Sequence, residues 1–156
     1  MNDLAVSYEK DYHQWIEQHI QLLKTGQWHA LDTVHLIEEL EGMANRDKHE
    51  LVSHLVILMA HLLRWQFQLK HLTERWGEFQ GNSWRASMIE QRYRVQAQLE
   101  HIPSLKNALN DSIIRAYPKA VLLAAKETGL DKNHFPIHCP YTVEQILDDD
   151  FYPQAN

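Results

Sequence analysis

Large apolar residues recur along most of the chain at the spacing of one helical face, and nowhere with the alternation of a strand. Between Tyr8 and Leu23 they fall at Tyr8, Tyr12, Trp15, Ile16, His19 and Leu23, which predicts a first helix stopped by Gly26. Asp32 stands where an N-cap carboxylate accepts a free amide of the first turn, opening a second helix that carries Leu36, Ile37, Leu40 and Met43. Gly42 and Asn45 predict its break. A third and longest helix is expected from about Asp47 to Leu72, with Leu51, Leu55, Leu58, Leu62, Trp65, Leu69 and Leu72 in one unbroken stripe. Val52, Val56, Ile57, Met59 and Leu63 make it apolar on most sides, which places it in the middle of a bundle.

Gly77 to Asn82 reads as a loop, with Ser83 as cap of a fourth helix bearing Trp84, Met88, Val95, Leu99 and Ile102. Pro103, which has no amide hydrogen for the helix ladder, ends it. Pro103 and Ser104 then open a fifth helix with Leu105, Leu109, Ile113 and Ala116 on one face. Its phase continues past Pro118 through Val121 and Ala124 to Gly129, as one kinked helix or two abutting ones. Residues 130–141, with Pro136 and Pro140, read as irregular, and Thr142 with Gln145 forms a capping-box signature for a short last helix. The expectation is a single all-α domain over residues 1–156, a bundle of five to six helices around the long third.

The 156 residues are 44% hydrophobic and 23% charged, the balance of an ordinary globular chain. Met1 to Lys10 lacks the pattern of a secretory signal. Leu55 to Leu63, the most apolar run, is far short of the roughly 20 residues of a membrane span. The lone Cys139 excludes an internal disulfide and suits a reducing compartment, so a cytoplasmic address without membrane contact is expected. Charge is segregated: residues 1–63 carry −6, residues 64–126 carry +5 and residues 127–156 carry −5. Acidic outer thirds packed beside a basic middle account for this, and the net charge of −6 disfavours nucleic acid as a partner.

Candidate chemistry is sparse. Two His–Glu pairs at three-residue spacing, His35 with Glu38 and His71 with Glu74, match what chance gives for eleven histidines and twelve glutamates. Neither has the Glu-then-His order of a di-metal bundle, so no metal and no cofactor is expected. Glu38 and Glu39 point about 100° apart on a helix, so at most one faces the core. Asp148, Asp149 and Asp150 lack the alternation and glycine turn of a cation loop. Arg64, Trp65, Phe67, Lys70, Arg75, Trp76, Phe79, Trp84 and Arg85 interleave cations and rings as single-strand binders do, but Trp65 and Trp84 fall on core stripes. Cys139 beside His138 lacks the third group that would orient a nucleophile's base. His54, His61 and Gln68, spaced by seven, lie beside the leucine stripe. His61 is therefore expected to be mostly buried and bonded to a group of another helix, with Glu38, Glu39, Glu90 and Arg92 as candidates.

Several blocks taken together resemble a known family: Tyr8-Glu9-Lys10-Asp11 with Trp15, Leu36-Ile37-Glu38-Glu39-Leu40, His61-Leu62-Leu63-Arg64-Trp65-Gln66 and Ser83-Trp84-Arg85-Ala86-Ser87. Glu90-Gln91-Arg92, Pro103-Ser104-Leu105, Glu127-Thr128-Gly129-Leu130 and Phe135-Pro136 through Cys139-Pro140-Tyr141 complete them. The chain is similar over Tyr8 to Pro153 to domain-of-unknown-function family twenty-nine, small helical proteins found chiefly in cyanobacteria. The resemblance implies a small, soluble, all-helical cytoplasmic protein and supplies no catalytic residue. It departs at Arg64, where the family usually has lysine, and at Pro118.

Two function classes lead, ahead of a third, a nucleic-acid accessory using residues 64–94. The first is a helical protein-interaction or regulatory module, not an enzyme, acting on a protein partner or on itself. The alternative is a small enzyme or metal-binding protein with a polar site at Glu38, His61, Glu90 and Arg92. Protonating all eleven histidines would take the net charge from −6 to +5, so it crosses zero near the sequence pI of about 6.0. A solubility minimum with reversible self-association is expected there, weakening as pH rises. Electrophoretic mobility across this range checks it: a protein still clearly anionic at about pH 5.5 would mean that most histidines are held neutral, and the association would not occur.

Overall fold

A computed structural model describes residues 3–75, 77 and 81–155. Among them are six α-helices and three short 3₁₀ helices, with no strand, so the protein is an all-α helical bundle. The helices are α1 (Asp3–Lys10), α2 (Tyr12–Lys24), α3 (Thr33–Arg75), α4 (Asn82–His101), α5 (Leu109–Thr128) and α6 (Val143–Leu147). The chain folds as two compact units, Met1–Arg46 and Asp47–Asn156, and the boundary falls inside α3. No helix among the described residues is long and apolar enough to cross a membrane.

In the first unit the expected single N-terminal helix is two. Asp11 interrupts it, leaving helical geometry and accepting the Gln14 amide at 3.1 Å as the N-cap of α2. The apolar spacing runs through this break without a change of phase, which is why periodicity alone missed it. Beyond α2, Gly26 takes a left-handed conformation (φ +70°) and a 3₁₀ helix at Trp28–Ala30 leads to α3.

The expected break at Gly42 and Asn45 is absent: the second and third helices are one, α3, of 43 residues. A helical glycine costs about 1 kcal/mol relative to alanine. Its neighbours Glu38 to Glu41 and Met43 to Arg46 are mostly good helix formers and outweigh that penalty.

The second unit is built on the α3 stripe. Leu51, Leu55, Leu58, Met59, Leu62 and Leu63 are fully buried, in one cluster with Met88 and Val95 of α4, Ala116, Ala120 and Ala124 of α5, and Ile146 of α6. α4 starts without a Ser83 cap; Gly81 occupies the N-cap position at φ +69° and no side chain caps the helix. Trp65 and Leu69 crowd this turn: a Cβ on Gly81 would sit 2.9 Å from Leu69 Cδ1 and 3.1 Å from Trp65 Cζ3. Pro103 opens a 3₁₀ helix, Pro103–Ala108, and α5 follows it. α5 runs through Pro118 as one helix and ends at Gly129 (φ +74°). Ile114, whose carbonyl loses its helix donor to Pro118, is exposed, so water can serve that oxygen.

α6 forms as its capping box predicts, with Thr142 and Gln145 each bonding the other's backbone. Its C-terminal end is held from α4. Arg92, completely buried, donates from Nε to the Ile146 carbonyl (2.9 Å) and from Nη2 to that of Gln145 (3.2 Å). Gln96 takes the Leu147 carbonyl at 2.7 Å. A guanidinium at the negative end of a helix satisfies carbonyls that the helix itself leaves open.

Gly42, inside α3, and Gly81, at the N-cap of α4, separate experimentally. A Cβ on Gly42 meets nothing within 4 Å, so Gly42→Ala should stabilise by about 0.5–1 kcal/mol. Gly81→Ala combines a left-handed conformation with a clash and should destabilise by about 2 kcal/mol or more. Denaturant titration of both variants checks the pair; a destabilised Gly42→Ala would mean that α3 is not continuous there.

Candidate functional site

The densest polar assembly lies in the first unit and centres on Asp32, of which only 3% is exposed. As the N-cap residue of α3, it accepts the His35 amide on Oδ1 (3.4 Å). Its Oδ2 accepts Trp15 Nε1–H (3.1 Å) and His35 Nδ1–H (2.6 Å). Its own amide donates to His19 Nε2 (2.9 Å), while His19 Nδ1–H donates to the Trp15 carbonyl (2.8 Å). Both nitrogens of the buried His19 are thus engaged, one as acceptor, which selects the neutral Nδ1–H tautomer. The Tyr8 ring stacks on His35 at 4.0 Å. Tyr8 and Tyr12 donate their hydroxyls to the two oxygens of Glu39 at 2.6 and 2.5 Å.

Electrostatics follow from these bonds. Burial works against the Asp32 charge, but bonds from His35 and Trp15 outweigh it and hold the carboxyl below its usual range. Hydrogen bonds from Tyr12 and Tyr8 likewise lower Glu39. In return the bond to Glu39 pushes Tyr8 up to about 12 and raises Tyr12. A carboxylate behind an imidazole is the arrangement of an acid–base dyad, but here the ring lies stacked against Tyr8. The assembly acts as a clasp between α1, α2 and the start of α3.

The clasp fixes how the two longer helices of the unit lie. Tyr12 meets Glu39 and His19 meets Asp32, so α2 and α3 run in opposite senses. Stepping 100° per residue, Ile16, Ile20 and Leu23 stand to one side of the clasped row of α2. Leu36, Leu40 and Met43 stand to the corresponding side of α3, and in an antiparallel pair these sides coincide. No charged residue belongs to either row. Ile20 (42%), Leu23 (44%), Leu40 (62%) and Met43 (54%) are exposed, as is Trp28 on the connecting turn.

The residues singled out from sequence have separate partners. Glu38 is exposed, and Glu39 is the one of that pair that turns inward. Glu90 is exposed and pairs with Arg94 one turn along α4 (2.8 Å). Arg92 serves the α6 carbonyls. His61 is half-buried and donates from Nδ1 to the Ile57 carbonyl of its own helix (2.8 Å), not to another helix as expected. On the flank of the stripe the nearest acceptor is the carbonyl one turn back. His54 makes the cross-helix contact instead, Nδ1 to Gln91 Oε1 at 3.0 Å, with Nε2 3.5 Å from Glu50. Sequence reading saw Asp32 only as a cap, and Trp15 and His19 only as stripe members; Tyr8, Trp15 and Glu39 within the family blocks were the available signal.

Among the described residues no group of three or more His, Cys, Asp or Glu comes together to hold a metal ion. Asp148 accepts the Asp150 amide, and Asp149 accepts from Gln96. Burial pushes the Cys139 thiol up, and its Sγ rests 3.5 Å from the Tyr141 carbonyl, the setting of a packed thiol. Most of the basic–aromatic stretch is spent internally. Arg64 lies over the Trp84 ring (4.3 Å) and pairs with Glu127 (2.7 Å), and Arg85 lies over Tyr152 (5.0 Å) and Trp65 (5.4 Å). Trp76 and Phe79 of that stretch lie outside the described residues.

A raised tyrosine pKa means stability that is complete below the ordinary value of 10 and lost as pH climbs through the folded value of about 12. Glu39→Gln should bring Tyr8 ionisation back toward 10. The difference in tyrosinate absorbance between wild type and variant isolates it from Tyr117, which burial also raises. Identical titration curves would mean that Glu39 does not hold the two hydroxyls.

No curated protein and no solved structure matches the chain. The family model described as domain of unknown function DUF29 matches residues 7–152, nearly the full length. On that match, the chain belongs to the DUF29 family.

Proposed function

We propose that the protein is a helical interaction module whose contact surface is the apolar face of the α2–α3 hairpin. One observation carries the reading. Among residues 7–46 of the first unit, Trp15 is the sole buried hydrophobic side chain, while Ile20, Leu23, Trp28, Val34, Ile37, Leu40 and Met43 are exposed. A unit this small that leaves so many large apolar side chains in solvent is marginal, and exposed apolar rows of this kind mark a contact surface. The clasp of Asp32, His35, Tyr8, Tyr12 and Glu39 supports the reading from behind, since it orders the two helices without using that face. The single thiol fits action in the cytoplasm. An enzyme site at Glu38, His61, Glu90 and Arg92 draws no support from the separate partners of those side chains.

A photo-crosslinking amino acid placed at Leu40 tests this in living cells, with Tyr93 of α4, also exposed, as the control position. Covalent protein adducts are expected from position 40 and not from position 93. Absence of adducts from position 40, or equal yields at the two positions, would overturn the proposal.

A further inference from the structure

We infer that the occupant of the α2–α3 face is a second copy of the same chain, docked face to face about a two-fold axis. This deepens the interaction reading and rests on it. Two antiparallel helices that present matching rows, Ile16, Ile20 and Leu23 beside Leu36, Leu40 and Met43, form a self-complementary surface, as an isologous contact requires. Stacking two such hairpins yields four helices around one apolar centre, the arrangement of a four-helix bundle.

Area supports the same occupant. The exposed portions of the row residues Ile20, Leu23, Leu40 and Met43 amount to on the order of 400 Å², about the non-polar share of a stable interface of ~800 Å² per partner. A two-fold contact supplies that area with no further element. The second copy also delivers apolar cover to Ile20, Leu23, Leu40 and Met43, which are otherwise exposed.

Charge sets a signature that separates this occupant from others. Residues 1–46 hold eight acidic and three basic side chains, and Glu17 and Glu41 stand exposed beside the face. Two copies therefore repel at long range and attract only where the rows touch. Screening removes the repulsion, so self-association tightens with salt. A basic partner docked on the same face would loosen with salt.

Analytical ultracentrifugation of the purified full chain, at low and high sodium chloride up to about 100 µM protein, tests the inference. The expected result is a monomer–dimer equilibrium that shifts toward dimer as salt rises. Leu23→Glu and Leu40→Glu should each weaken it at least about tenfold, while Tyr93→Ala leaves it unchanged. Circular dichroism of each variant shows whether helix content is kept. For any variant that loses helix, amide exchange of the wild type, compared at high and low protein concentration, replaces it, with protection expected to rise in α2 and residues 33–46. A chain that stays monomeric overturns the inference, as does a dimer indifferent to both glutamate variants or a dimer that loosens with salt. Adducts of a different protein from position 40 in cells, with a monomeric purified chain, would leave the interaction reading standing and remove the second copy from it.

Discussion

Burial of one continuous apolar stripe on α3 is the constraint on which the second unit depends. Leu51, Leu55, Leu58, Met59, Leu62 and Leu63 are completely withdrawn from solvent. Each such side chain stabilises by about 1.5–3 kcal/mol, so a few of them match the whole net stability of a domain. Everything else in the unit is arranged to cover that stripe. α4 and α5 contribute Met88, Val95, Ala116, Ala120 and Ala124 to the same buried cluster. The C-terminal segment adds Phe135, Tyr141 and Ile146.

Polar groups in this unit serve the same end. α6 has only five residues, too few to be stable by itself, and most of its carbonyls fall within its last turn. Arg92 and Gln96 reach out of α4 to those carbonyls, so that Ile146 can be driven into the core without stranding backbone acceptors. Arg64 and Arg85 lie across the faces of Trp84, Trp65 and Tyr152. Their charges contribute to the fold at the edge of the stripe, where a cation over a ring is partly shielded from water. The segment that resembled a nucleic-acid surface in composition is therefore largely a packing seam.

The first unit solves the problem of order differently. Its helices are joined by hydrogen bonds and stacked rings: Asp32 takes bonds from Trp15 and His35, and Glu39 takes both tyrosine hydroxyls. Directional bonds fix the register of α2 against α3 while burying little surface. This leaves the apolar rows of the hairpin outward-facing, which is what a contact surface needs and what a free-standing domain avoids. The interaction module we propose rests on this division of labour.

Helix content, the buried stripe, the capping box of α6 and the stop at Gly129 were legible in the sequence, because each depends on residues a few positions apart. The breaks were less so. Asp11 divides a helix whose apolar phase never changes, and Gly42 fails to divide one because its neighbours outweigh its penalty. The clasp was illegible for a further reason: Trp15, His19, Asp32 and His35 meet only once two helices have turned back on each other. The sharpest case is α3 itself. Ile37 and Leu40 lie on the same helical face as Leu51 and Leu55, about three turns along the same helix. By itself the sequence determined that this face is apolar and helical, but it placed a break at Gly42 and Asn45 between its two parts. Only the tertiary structure decided that its second part is covered by α4 and α5 while its first part stays bare, since burial depends on which distant segments return to a surface, and helical spacing carries no record of that.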